Sequence, residues 1–227
     1  MFRPATRGIG VTILAAVLAS GLSVDAGAQA KESGLLKDYS QLKTEKDPLG
    51  IERRIWVSPK LTREAYQKVL IERITFYPAP QPSEKVSMGT LNDLRDYGEA
   101  ELRKAVASVV PLADKPGPGV LRVRMAVTAV AVEGAKLKPY QLFPIALVIT
   151  GAAEAAGEGR RDVKLAVESE ITDSVSGEPL ARVVRDAQGV HVKSNEKLTL
   201  QAAKPQIDKW AESTREALAA RLKPAGR

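Results

Sequence analysis

From Val120 to Val132 apolar and polar residues alternate. Leu121, Val123, Met125, Val127 and Ala129 fall on one face, and Arg122, Arg124 and Thr128 on the other. Successive side chains of a strand point to opposite faces of the sheet, so this run predicts a strand with one face in a core and one face wet or partly covered. A second alternation follows it. Val163, Leu165, Val167 and Ile171 point one way, and Lys164, Glu168, Glu170 and Thr172 the other. Ser176-Gly177 supplies a turn, because glycine accepts the positive φ that such turns need, and Leu180 to Asp186 returns as the partner strand.

Helical spacing appears elsewhere. Leu91, Leu94, Leu102, Ala105, Val106 and Val109 lie on one face of a helix that Pro111 ends, with Thr90 and Asp93 as a capping pair. Ile207, Trp210, Ala211, Thr214 and Leu218 line a C-terminal helix from Pro205 to Leu222. Ser58-Pro59 predicts a short helix over Pro59 to Gln67, followed by a strand from Val69 to Tyr77 that Pro78, Pro80 and Pro82 stop. Residues 31–57 read as an extended arm that packs Leu35, Leu36, Tyr39 and Trp56 onto a domain spanning 58–223. The order β-α-β, hairpin, α is best satisfied by one α+β domain: a mostly antiparallel sheet of four to five strands with helices packed on one face.

The opening of the chain has a different composition. Arg3 and Arg7 are followed by 17 uncharged residues, and small side chains then lead to Ala28-Gln29-Ala30. A positive start, an apolar stretch and an A-x-A exit make up a Sec-type secretory signal, here expected to be cut between Ala30 and Lys31. The mature chain is then expected in the periplasm or outside the cell. The apolar run Leu142 to Ile149 is too short to span a bilayer as a helix, so no transmembrane segment is expected in the mature chain. The sequence has no cysteine, so an exported fold rests on packing alone, and no lipid anchor is expected.

Removing residues 1–30 takes the net charge from +7 to +6 (32 basic against 26 acidic side chains). That balance favours solubility and anionic envelope partners, protein or polymer, while nucleic acid is not expected beyond the cytoplasm. Arg122 and Arg124 on one strand face, with Arg160 and Arg161 entering the next strand, are candidates for an anion-binding patch. The alternative is pairing across the sheet with Glu168 or Glu170.

Glu168, Glu170 and Asp173 form the best carboxylate group. The first two would share a strand face about 6.5–7 Å apart, a spacing open to acid–base work or cation binding. That face reads as solvent-side, Arg182 and Arg185 on the partner strand read as counter-charges, and Asp173 reads as a turn cap. His191 is the only histidine. It cannot supply a zinc set alone, and no G-x-S-x-G elbow accompanies it. Gly117, Gly119, Gly151, Gly157 and Gly159 lack phosphate-loop spacing and read as turn glycines. No catalytic, metal or cofactor-binding residue is assigned on these grounds.

Several segments in series resemble the bacterial domain-of-unknown-function family 3313, small envelope proteins of which many are lipoproteins. They are Ser33 to Leu42 (SGLLKDYSQL), Tyr66 to Glu72 (YQKVLIE), Pro116 to Val123 (PGPGVLRV), Ala126 to Val130 (AVTAV), Glu168 to Ser174 (ESEITDS) and Gly177 to Leu180 (GEPL). The resemblance implies an envelope compartment and an α+β fold, and no activity. The expectation is therefore a non-catalytic binding or assembly module of the envelope. Two alternatives stay open: a hydrolase or metal-dependent enzyme centred on Glu168, Glu170 and Asp173, and a peripheral membrane or oligomeric component that makes contact through residues 142–156.

Overall fold

A computed structural model of the chain describes residues 32–80, 86–132, 160–186, 190–193 and 197–222. The expected signal, its cleavage point and the segment 142–156 lie outside the described residues.

The long alternating run forms the centre of the sheet. Strand β5 (Val120–Val132) pairs antiparallel with β6 (Arg160–Asp173), and β6 with β7 (Pro179–Asp186). Gly177, at φ 73°, closes the β6–β7 turn and donates its N–H to Asp173 O at 3.0 Å. Beyond β7 lie β2 (Glu52–Val57) and the edge strand β1 (Lys43–Lys46), both antiparallel. On the other side β3 (Lys68–Ile71) and β4 (Thr75–Phe76) run parallel to β5, and β8 (Val190–Lys193) pairs with β6. The sheet has eight strands among the described residues, in the path β1-β2-β7-β6-β5-β3.

The α+β architecture is the expected one, and the sheet is larger than four to five strands for identifiable reasons. The segment read as an arm contributes β1 and β2, whose four- and six-residue lengths are too short to show a clear alternation. The single strand read over Val69 to Tyr77 is two strands. The helix that carries Glu99 and Arg103 intercepts the backbone between them: Ile74 N donates to Glu99 Oε2 at 2.9 Å and Arg103 donates to Ile71 O at 2.7 Å. These bonds replace ladder bonds that a continuous strand would have made. The helix read over Pro59 to Gln67 is instead a pair of turns. Thr62 N bonds to Lys60 O, and Ser58 Oγ accepts from Lys60 N, two residues on.

Helix α1 (Met88–Ala107) begins at Ser87, whose hydroxyl accepts from Thr90 N at 3.0 Å, so the cap lies three residues before the Thr90 reading. Helix α2 (Leu200–Leu222) starts earlier than Pro205, because Thr199 Oγ1 accepts from Ala202 N at 3.3 Å and opens a turn ahead of the proline. The two helices cover the same sheet face and run side by side. Leu91 and Leu94 of α1 cluster with Ala203 and Ile207 of α2, and Leu102 and Val106 with Leu222. The second cluster also takes in Val69, Ile71 and Leu121 from the sheet. None of the helices among the described residues is long and apolar enough to cross a membrane.

Candidate functional site

Charge is concentrated on both faces of the sheet. On the face away from the helices, register brings Trp56, Arg182, Glu170 and Arg124 into one row across β2, β7, β6 and β5. The Arg182 guanidinium lies 5.2 Å from the Trp56 ring centre, and its Nε stands 3.5 Å from Glu170. Arg124 reaches the other oxygen of Glu170 at 2.9 Å. One position along, the Tyr39 hydroxyl donates to Glu168 Oε2 at 2.6 Å while accepting from the N–H groups of Gly34 and Leu36. Burial and the Glu168 carboxylate raise the Tyr39 phenol above its ordinary range, so the proton stays on tyrosine. Asp38 adds a carboxylate 3.4 Å from Arg182, and Leu35 O accepts from Arg124. Residues 33–40 thus form a strap tied to the sheet by charge.

That strap changes the surroundings of two carboxylates. Glu168 is only 3% exposed and Glu170 7%, although their strand face reads as solvent-side in the sequence. The sequence shows the alternation and carries no signal for a distant segment lying over it. Asp173 belongs to different surroundings. It accepts from the backbone N–H groups of Ser176 and Val175 and from Tyr66, and the Ser176 N–H leads in holding its carboxyl below the ordinary range. Glu168, Glu170 and Asp173 are therefore committed to three separate sets of partners. Of the patch candidates, Arg122 pairs with Glu72 and Arg124 with Glu170. The side chains of Arg160, Arg161 and His191 lie outside the described residues.

Arg182 and Arg185 do not act together. Three positions apart on a strand they take opposite faces, and Arg185 points toward the helices, where Ala181 and Val183 of the same strand also line the core space. There it donates to Ser213 Oγ at 2.8 Å and stands 3.6 Å from Asp47. Ser213 in turn donates to Asp47 Oδ2, and the other Asp47 oxygen accepts from Leu49 N and Ile51 N in the β1–β2 turn. Burial opposes ionisation of Asp47, yet Ser213, Ile51 N–H, Arg185 and Leu49 N–H together hold its carboxyl below the ordinary value. Burial, and then the neighbouring Arg53, bring the Arg185 guanidinium down to about 10. Arg53 is itself buried and paired with Glu45 at 2.7 Å. Sequence reasoning passed over Asp47, Arg53 and Ser213. The one local trace is faint, since within the six residues of β2 Arg53 shares parity with Ile55 and Val57 and so falls on the apolar face.

Between the helices and this sheet face lies a cavity of about 230 Å³. Its walls are Val69, Ile71, Leu121 and Val123 from the sheet, with Leu102 and Leu218 among the helical contributors. Arg53, Arg95, Arg185 and Arg221 also reach it, and no carboxylate is among its described lining.

A strapped single-sheet α+β domain with a helix layer over one face is thus the class of protein defined here. The chain matches the family described as "Protein of unknown function (DUF3313)" over residues 31–214, and it belongs to that family. It is 34% identical over 159 residues to the "Uncharacterized lipoprotein YdcL" of Escherichia coli strain K12, covering 70% of this chain and 72% of the relative. The protein of the same name from strain O157:H7 is equally similar. Among solved structures, the PelC dodecamer from Paraburkholderia phytofirmans is 16% identical, with 73% of this chain and 96% of that chain covered, at a TM-score of 0.35. That likeness is too distant to carry an argument. The lipoprotein name of the relatives overturns the expectation of no lipid anchor. That expectation rested on the missing cysteine alone, and a family with relatives so named does not permit the exclusion from this chain's composition.

Proposed function

We propose that this chain is exported through a signal at residues 1–30, cut between Ala30 and Lys31, and works in the cell envelope as a non-catalytic module for binding or assembly. The charge pattern of the opening residues supports export. So does the family match, which begins at residue 31, and the lipoprotein name of the relatives supports the envelope.

One observation carries the non-catalytic reading. The carboxylates with the best spacing for chemistry are held in structural bonds, Glu170 between Arg124 and Arg182 and Glu168 against the strap through Tyr39. Carboxylates so placed tie neighbouring segments together, and removing one partner leaves the other buried group uncompensated, which is a structural role.

Cell fractionation with intact-mass measurement tests export. The product is expected in an envelope or external fraction without residues 1–30, and a cytosolic product that keeps Met1 through Ala30 overturns the proposal. Glu168→Gln and Glu170→Gln test the second half. Both are expected to lower the denaturation midpoint. A hydrolytic or metal-dependent turnover abolished by either substitution at unchanged midpoint would show that a reaction uses them.

A further inference from the structure

The cavity under the helices combines three features that point to one kind of occupant. It is long: its lining runs from Leu91 to Val106 on α1 and from Ile207 to Leu222 on α2. At 1.5 Å per residue each stretch spans about 22 Å. It is narrow: 230 Å³ over that length leaves room for a chain and little for a fused ring system. An apolar cavity of about 150 Å³ takes one benzene, so this volume takes roughly nine or ten carbons.

The third feature is an uneven distribution of polar groups. The wall under α1 is apolar at Val69, Ile71, Leu102 and Leu121, and its one charged lining residue on α1, Arg95, is engaged by Asp96 and the Phe76 ring. Polar groups gather on the α2 side, where Arg53, Arg185, Ser169, Trp210 and Thr214 reach the same space. Among the described residues, Trp210 Nε1 is a buried donor with no acceptor. Arg185 has five N–H donors and commits one of them to Ser213. The nearby Asp47 oxygens already accept from Ser213, Leu49 and Ile51. This end of the cavity is rich in donors and poor in acceptors, which suits a carboxylate.

We propose that the space between the helix layer and the sheet binds a medium-chain fatty acid of about ten carbons. Its carboxylate faces Arg53, Arg185 and Trp210, and its tail lies under α1. The inference builds on the binding reading given above, and the two can fail separately, since export is read by fractionation and the slot by titration.

The chain has two tryptophans, Trp56 and Trp210. Trp56 stacks on Arg182 on the opposite face, so Trp56→Phe leaves Trp210 fluorescence as a report from the cavity. Titration of the purified exported protein with decanoate is expected to give a saturable change. Decanol, which keeps the chain and loses the charge, should bind about tenfold more weakly, the size of one charge-assisted hydrogen bond. Butyrate should give no change. Ala217, a small residue of the lining, provides the control: Ala217→Leu fills the space, and its melting temperature should match or exceed the parent's while decanoate binding is lost.

Equal affinity for decanol and decanoate overturns the head site, and a response to butyrate overturns the chain site. Unchanged decanoate binding in Ala217→Leu places the ligand elsewhere and overturns both. No decanoate binding by the parent protein overturns the proposal.

Discussion

Asp47 is the residue on which the helix-facing charge network depends, since it joins a turn, a strand and a helix through one carboxylate. Removing one partner of a buried, hydrogen-bonded ion pair leaves the other charge stranded, at about 3–5 kcal/mol. Asp47→Ala is therefore expected to cost about that much in a urea titration at pH 7. Its pH dependence has a definite sign. The folded carboxyl is held below its ordinary value, so the stabilisation is fully present above the unfolded value of about 3.9 and is lost as pH falls through the folded one. The parent midpoint should decline below about pH 4, and Asp47→Ala should decline less over the same window. An equal decline in both proteins would assign the acid sensitivity to other carboxylates. Tyr39 offers a second case. Tyr39→Phe removes the donor to Glu168 and strands a buried carboxylate, at about 1.5–3 kcal/mol. It should also speed proteolytic cutting within residues 33–40, because the strap loses its tie.

The row Trp56–Arg182–Glu170–Arg124 shows how burial grades interactions of the same chemistry within one sheet. The Arg182 and Glu170 side chains are each 9% exposed, whereas the Arg124 side chain is 43% exposed. An exposed partner contributes at most about 1 kcal/mol, while loss of a buried one leaves an uncompensated charge. Arg124→Met should lower stability by less than about 1 kcal/mol, and Arg182→Met by about 3 kcal/mol, in the same denaturant assay. Equal losses would show that the strap does not exclude water from the row. These strands also show what a sequence can reveal. The alternation from Val120 to Val132 and from Val163 onward located β5 and β6, since a long strand with one apolar face leaves a period-2 record. The C-terminal helix and α1 left their own record at helical spacing. Strands β1 and β2 escaped because they are short, and because β7, the strand on which β2 pairs, lies more than a hundred residues away. Glu168 and Glu170 were found as a pair, but their burial depends on Tyr39, 129 residues away from Glu168, and local pattern does not report such contacts.

The sheet and the helix layer are unequal partners in the stability of the domain. The central strands β5, β6 and β7 are joined by long antiparallel ladders, each with one register shift, with Leu180 and Val184 of β7 fully or nearly fully buried. The helices close their contact with the sheet at two apolar clusters and leave the cavity between them. At about 24 cal/mol per Å³, an empty 230 Å³ space costs roughly 5 kcal/mol in lost contacts, a large share of the usual 5–15 kcal/mol stability of a domain. The cost falls on the helices, because their release would abolish the cavity while the ladders stayed intact. Native-state amide exchange should therefore show α2 opening at a free energy about 1–2 kcal/mol below that of the β5–β6 core. Ala217→Leu should narrow this gap by raising the value for α2, as cavity-filling substitutions add about 0.5–2 kcal/mol. Saturating decanoate should narrow it in the parent protein as well, by the linkage between binding and opening. Equal exchange stability of helices and sheet in the free parent would mean that the helix layer bears no such cost, and the domain would then open as a single unit.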